Sequence, residues 1–150
     1  MPESIVTPVL HYPDVRIAAE WLCLTFGFRE RLGIANHRVQ LEVGNASVII
    51  ARDARKFPAC GCSTHSIMVR VADIEAHHEH CTHCDARVVS RPTTYPYGER
   101  QYTVLDIGGH AWTFSQTVAD IDPATWGGVE IGKNAATTPD AGTSIREPFI

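Results

Sequence analysis

The segment AHHEHCTHCDA, residues 76 to 86, gathers four histidines and two cysteines into eleven positions. Wound into a helix, it sets His77 four residues before Cys81 and His80 four before Cys84. Residues so spaced share a face, so each pair offers the imidazole and thiol that zinc or nickel accepts. The same helix must also turn one face to a core. Ile74, His77 or His78, Cys81 and Cys84 fall where that stripe belongs, and a free cysteine packs there as a small hydrophobe. The residues favour core packing over a dedicated metal centre. Cys60 and Cys62 sit in CGC, at the wrong spacing for a C-x-x-C site.

Other side chains with chemistry to offer are scattered. Arg70 and Arg100 have the fork geometry that grips a carboxylate or phosphate, and His11 and Tyr102 can orient or protonate a ligand. For each arginine the competing role is a solvated edge or a structural ion pair; for His11 it is a surface position at a strand end. What these residues do depends on the elements that carry them.

Those elements occur twice. LEVGNASVIIA, residues 41 to 51, has the outline of LDIGGHAWTFS, residues 105 to 115, each reading as two strands folded about a glycine turn. YPDVRIAAEWLCLTFGF, residues 12 to 28, matches VADIEAHHEHCTHCDAR, residues 71 to 87, with Asp14 on Asp73 as paired helix N-caps. The offset is larger for the hairpins than for the helices, as an insertion at PTTYPYG, residues 92 to 98, would produce. Strands IVTPVLHY and HSIMVRV precede the helices, and short strands near Arg29–Gly33 and Arg87–Arg91 follow them. Ile17, Trp21 and Leu24 make an apolar stripe on the first helix. Each copy is therefore βαβββ, and the pair predicts an α+β protein with a mixed, mostly antiparallel sheet. The expected boundaries are residues 1–126 for one domain, with modules at 5–55 and 64–118, and a tail at 127–150 rich in Gly, Ala, Thr and Pro.

With 44% hydrophobic residues in 150, the chain can bury one core. A net charge of -4 with dispersed Lys and Arg excludes the basic stripe that nucleic acid requires. No apolar run is long enough to span a bilayer, and MPESIVTPVLHY lacks the features of a secretory signal. With five cysteines, an odd number, reduced thiols are expected, and with them a cytoplasmic location.

The paired modules, the D-x-G-G-H-x-W-T-F-S ending at residues 106 to 115 and the YPYGERQYTV stretch before it resemble the vicinal oxygen chelate superfamily. That superfamily holds glyoxalases, bleomycin-resistance proteins and extradiol dioxygenases; the resemblance covers about residues 5 to 126 and is greatest to small bacterial glyoxalase/bleomycin-resistance-like members. It implies that the sheets curve around a shared cup, where enzymes hold a divalent metal through His, Gln or Glu on the first and last strands of each module. The repeat puts Thr7 and Ser66 at the first-strand positions and Ile49 and Thr113 at the last-strand ones, and none is a good ligand. His65 adjoins Ser66, but a one-residue shift would turn Ile67, Val69 and Val71 out of the core.

Within that scaffold, strand alternation assigns the faces. Val6, Leu10, Ile67, Val69 and Val71 belong under the helices, as do Trp112 and Phe114. Thr7, Val9, His11, Ser66, Met68, Arg70, Ala111, Thr113 and Ser115 turn to the cup. If the Gly108-Gly109 turn pairs Leu105 with Trp112, then Arg100, Tyr102 and Val104 share the face of Thr113. Tyr95 and Tyr97 stand on the inserted loop, where they either cover the cup or pack on the domain. Trp21 and Trp112 read as core, and Trp126 as an anchor for the tail or a contact to a partner subunit. The resulting expectation is a protein that binds an aromatic or anionic small molecule, such as an antibiotic, with no metal or other cofactor. Its rival is an enzyme, either a metalloenzyme of glyoxalase-type lyase, isomerase or dioxygenase character or a metal-independent catalyst using His11 and Tyr102. The resemblance further implies a homodimer.

Overall fold

The computed structural model describes residues 5–54 and 65–131. Its elements run β1 (Val9–Tyr12), α1 (Val15–Phe26), β2 (Arg29–Ile34), β3 (Arg38–Val43), β4 (Ala46–Arg52), then β5 (Ile67–Arg70), α2 (Ile74–His83), β6 (Arg87–Thr94), β7 (Glu99–Leu105) and β8 (Ala111–Thr117), with a 3-10 turn at Pro123–Trp126. This is the βαβββ order, twice. The strands divide into two four-stranded sheets, ordered β1-β4-β3-β2 and β5-β8-β7-β6. β1 runs parallel to β4 and β5 to β8, while the remaining neighbours are antiparallel. A parallel neighbour demands a crossover, and in each module the helix and two strands supply it.

Local chemistry fixes the helix ends. Asp14 Oδ1 accepts from the N–H groups of Arg16 and Ile17 at 2.9 and 3.0 Å, and Asp73 Oδ1 from Ala76 at 3.0 Å. α1 stops at Gly27, whose φ of 74° is the left-handed C-cap that glycine adopts without strain. The hairpin turns use one positive φ each, at Gly44 and Gly109.

The apolar stripe on α1 requires correction. Ile17 and Leu24 are 55% and 68% exposed and Trp21 is half-buried, while Val15, Ala18, Ala19, Leu22 and Phe26 pack inward. Arg16 and Glu20 are the charged residues of a helix that is otherwise almost wholly apolar, so two opposite faces both satisfy helical periodicity. The face with two alanines wins because small side chains let the helix approach the sheet closely. Val6 is likewise exposed rather than under the helix, since β1 begins only at Val9.

The two modules share one core on their helix sides. Phe26, at the end of α1, meets the rings of Trp112 and Phe114 in the second sheet, with centroids 5.5 and 5.0 Å away and near edge-to-face. The histidine- and cysteine-rich face of α2 completes the junction. His80 Nε2, Cys81 Sγ and His77 Nε2 lie 2.8, 3.3 and 3.3 Å from the carbonyl oxygens of Leu24, Thr25 and Phe26 respectively. Those are carbonyls of the last turn of α1, whose intrahelical partners run out. The unusual composition of α2 thus supplies donors to a neighbouring helix end.

Candidate functional site

The sites expected from sequence divide between the two sides of the sheets. Tyr102 and Arg100 must be moved off the cup. The β7–β8 turn pairs Leu105 with Ala111 and Val104 with Trp112, one position from the expected register, so alternation sends Tyr102 and Val104 to the helix side. The reason lies in Asp106, whose Oδ1 accepts from the N–H groups of Gly108 and His110 at 2.8 and 2.9 Å and so enlarges the turn. Tyr102 is 0% exposed. Its hydroxyl lies 2.6 Å from His77 Nδ1 and 3.2 Å from Cys81 Sγ. Burial pushes the Tyr102 hydroxyl well above the usual phenol range, which deprives it of an acid–base role. Burial also holds His77 below the usual histidine value and raises the Cys81 thiol. With the Nε2–H of a neutral His77 facing the Phe26 carbonyl, Nδ1 is left to accept from Tyr102. Arg100 joins Glu75 of α2 in an ion pair at 2.5 Å.

Gln101 and Thr103 occupy the places expected for Arg100 and Tyr102. The face of the second sheet that the described helices leave uncovered therefore carries Met68 and Arg70 from β5, Thr113, Ser115 and Thr117 from β8, and Glu99, Gln101 and Thr103 from β7. Its side chains are tied together. Thr103 and Thr113 share a hydrogen bond of 3.0 Å, Gln101 Nε2 donates to Ser115 Oγ at 3.1 Å, and Glu99 accepts from Ser115 and Thr117, each at 2.6 Å. These bonds from Ser115 and Thr117, with the nearby charge of Arg70, hold Glu99 below the usual carboxylate range. Glu99 and Gln101 were missed in the sequence because the assumed turn register turned them inward. Their alternation with Thr103 was the available signal.

On the first sheet, Val9 and His11 are exposed, and Val9 pairs with Ile49. Gln40 and Ser47 are buried beside Arg31, which donates to Gln40 at 3.1 Å. Glu42 is matched by Arg29 and Arg31. Thr7 and Ser66 lie just outside the first strands of their modules, and His65 is exposed. The cross-module contacts of Phe26, His77, His80 and Cys81 lie on the helix side, while the bonds among Gln101, Thr103, Thr113 and Ser115 stay within the second sheet. Beside β5, the β3–β4 hairpin tip and Val6 and Pro8 enclose a crevice of about 380 Å³, lined mainly by apolar groups, with Met68 and Arg70 on one wall.

Tyr95 and Tyr97 stack with centroids 5.3 Å apart and planes 9° from parallel, and Trp126 meets Tyr97 edge-on at 5.8 Å. The Tyr97 hydroxyl donates to Gln101 Oε1 at 3.2 Å, which ties the inserted loop to the uncovered face.

Among the described residues, no three or more His, Cys, Asp or Glu are grouped as a metal ion would require. Cys60 and Cys62 fall outside the described residues, as does the tail beyond residue 131. Among the described residues no helix is long and apolar enough to cross a membrane.

The family model for the Glyoxalase/Bleomycin resistance protein/Dioxygenase superfamily matches residues 5–114. The chain belongs to this superfamily. A search of curated proteins found no match. TioX from Micromonospora sp. ML1 is 30% identical, with 76% of this chain and 98% of that one covered and a TM-score of 0.64. A glyoxalase/bleomycin resistance protein/dioxygenase from Alicyclobacillus acidocaldarius covers 79% of this chain and 95% of its own at 9% identity, with a TM-score of 0.65. Lactoylglutathione lyase from Agrobacterium tumefaciens has 12% identity, coverage of 77% and 94%, and a TM-score of 0.58. These last two show the fold alone. The positions that the resemblance and the repeat imply for a metal are Thr7, Ile49, Ser66 and Thr113, a donor set that does not fit a divalent ion. Two threonines, a serine and an isoleucine offer neither charge nor imidazole, and the Thr113 hydroxyl is already engaged by Thr103.

Proposed function

We propose that this protein binds a small aromatic molecule, an antibiotic or similar metabolite, without the help of a metal ion. The observation that carries the reading is the residue set Thr7, Ile49, Ser66 and Thr113 at the superfamily's coordinating positions. Hydroxyls and a hydrocarbon lack the donor strength for Lewis-acid chemistry, whereas binding needs only shape, apolar area and a few placed polar groups. The crevice beside Met68 and Arg70 and the hydroxyl and amide groups of the second sheet's uncovered face supply these. The loop tyrosines stand at the edge of that face. Tyr102 is withdrawn from the ligand set by its burial, and Arg100 by its pairing with Glu75.

The functional unit we propose is a homodimer in the cytoplasm. The helix sides pack together and the described helices leave both opposite sheet faces uncovered, so a second copy can set its first sheet against the partner's second and enclose the ligand between them. Light scattering on the full chain at micromolar concentration should give twice the chain mass.

Elemental analysis of protein purified without an affinity tag, together with a thermal-shift screen of natural products, tests the function. The expected result is less than one tenth of an equivalent of transition metal and at least one compound that raises Tm by binding only the native state. One tightly held metal per chain with turnover of a hemithioacetal or catechol would replace this reading with an enzyme of glyoxalase or dioxygenase type.

A further inference from the structure

We infer that Glu99 is the recognition group of the second sheet's uncovered face, and that it selects a planar aromatic ligand bearing a positive charge. This deepens the small-molecule-binding reading and rests on it. The hydrogen bonds on this face run in one direction. Tyr97 donates to Gln101 Oε1 at 3.2 Å, Gln101 Nε2 to Ser115 Oγ at 3.1 Å, and Ser115 Oγ to Glu99 Oε2 at 2.6 Å, while Thr117 donates to Glu99 Oε1 at 2.6 Å. Donors aligned in this way polarise one another toward a terminal anion. Ser115 is 4% exposed, so the last donor before the carboxylate is fixed in place.

The two modules differ in how they treat a carboxylate on this side of the sheet. Glu42 in the first is neutralised by the guanidinium groups of Arg29 and Arg31. Glu99 in the second is held by two neutral hydroxyls, with Arg70 close enough to act on it through its field. Hydroxyl donors keep a carboxylate ionised and aimed, but leave its charge to be matched from outside. At the far end of the hydrogen-bond chain stand the Tyr95–Tyr97 stack and Trp126, which is 41% exposed. Aromatic groups joined through that chain to a fixed anion suit a flat ring with a delocalised cation, since ring quadrupole and carboxylate both attract it.

The probe is 9-aminoacridine, a flat tricyclic cation at neutral pH, with 9-anthracenecarboxylate as the flat tricyclic anion, each titrated into the full chain by fluorescence and calorimetry. Saturable binding of the cation at least tenfold tighter than the anion is expected. Glu99→Gln, which keeps the shape and one accepting oxygen while its amide donates to the other hydroxyl, and Trp126→Ala should each weaken it at least tenfold with little change in Tm. Arg70→Gln should tighten it, and Glu20→Gln on the exposed side of α1 should leave it unchanged. Equal or tighter binding of the anion, no binding of the cation, or an effect of Glu20→Gln equal to that of Glu99→Gln overturns the inference. Should Glu99→Gln prove unstable, Arg70→Gln and Trp126→Ala decide alone: an unchanged cation affinity in both overturns it. Neutral or anionic hits from the natural-product screen whose affinity ignores Glu99→Gln would also overturn it, while leaving metal-free binding intact.

Discussion

Tyr12, at the end of β1, donates a hydrogen bond to Asp106, just past the end of β7, 2.5 Å away across the two modules and 94 residues along the chain. The same carboxylate accepts from Trp112 Nε1 at 2.8 Å and from the two turn amides. One buried side chain thus sets the turn register of the second module and fastens the first module to it. Burial, then the Asp106 charge and hydrogen bond, raise the Tyr12 hydroxyl far above the usual phenol range, so it stays a donor. Tyr12→Phe removes a bond to a charged partner and should cost about 1.5–3 kcal/mol in urea unfolding. Asp106→Ala strands three further donors and should cost more. A Tyr12→Phe midpoint equal to that of the parent would show that this bond does not help hold the modules together.

The junction between helices predicts a pH dependence. Burial holds His77 below the ordinary histidine value, with the neighbouring His80 adding to the effect and the Phe26 carbonyl opposing it. Tyr102 and Cys81 are the other titratable groups against it. A histidine that resists protonation in the folded state is protonated first in the unfolded chain. Its contribution is therefore complete above about pH 6.5 and is lost as pH falls from there through the folded value, at no more than about 1.4 kcal/mol per pH unit. Unfolding free energies of the parent and His77→Gln, measured from pH 7.5 to 5, should converge as the acid is added. Parallel curves would mean that His77 does not titrate differently in the two states.

Arg100 offers a clean separation of sequence expectation from structure. Its pair with Glu75 is partly exposed, and such pairs contribute about 0.2–1 kcal/mol. Arg100→Met should lower stability by no more than that and leave the affinity of any ligand within twofold. A tenfold loss would return Arg100 to the binding face and call the β7–β8 register into question.

Much of this architecture was legible because duplication doubled each signal. Asp14 and Asp73 as caps, the glycine turns and the βαβββ order all rest on local rules that tertiary context did not override. What local rules could not decide was orientation. α1 is apolar on both faces, so periodicity alone could not distinguish Ile17, Trp21 and Leu24 from Val15, Leu22 and Phe26. The β7–β8 register hinged on Asp106 bonding to amides two and four residues ahead, and a single-residue error there exchanged Glu99 and Gln101 for Arg100 and Tyr102. A side chain's face in a strand is a binary choice, so small turn errors have large consequences for a proposed site.

Gly98 is where the aromatic loop is pinned. Its φ is 85°, and a Cβ there would stand 2.1 Å from the carbonyl oxygen of Ala119. The Gly98 carbonyl meanwhile accepts from Val118 at 2.9 Å and Ala119 at 3.2 Å, and its N–H donates to the Tyr95 carbonyl at 3.0 Å. Neither partner can retreat cheaply, because both are backbone. Gly98→Ala must therefore break the contact to Ala119 and shift the segment holding Tyr95 and Tyr97, with a strain of about 1–3 kcal/mol from the left-handed conformation and clash together. Unfolding of the variant should show a loss of at least that size. If the Tyr97–Gln101 bond organises the uncovered face, 9-aminoacridine affinity should fall with it, even though residue 98 has no side chain to contact a ligand. Lost stability with unchanged affinity would mean that the loop braces the sheet and takes no part in binding.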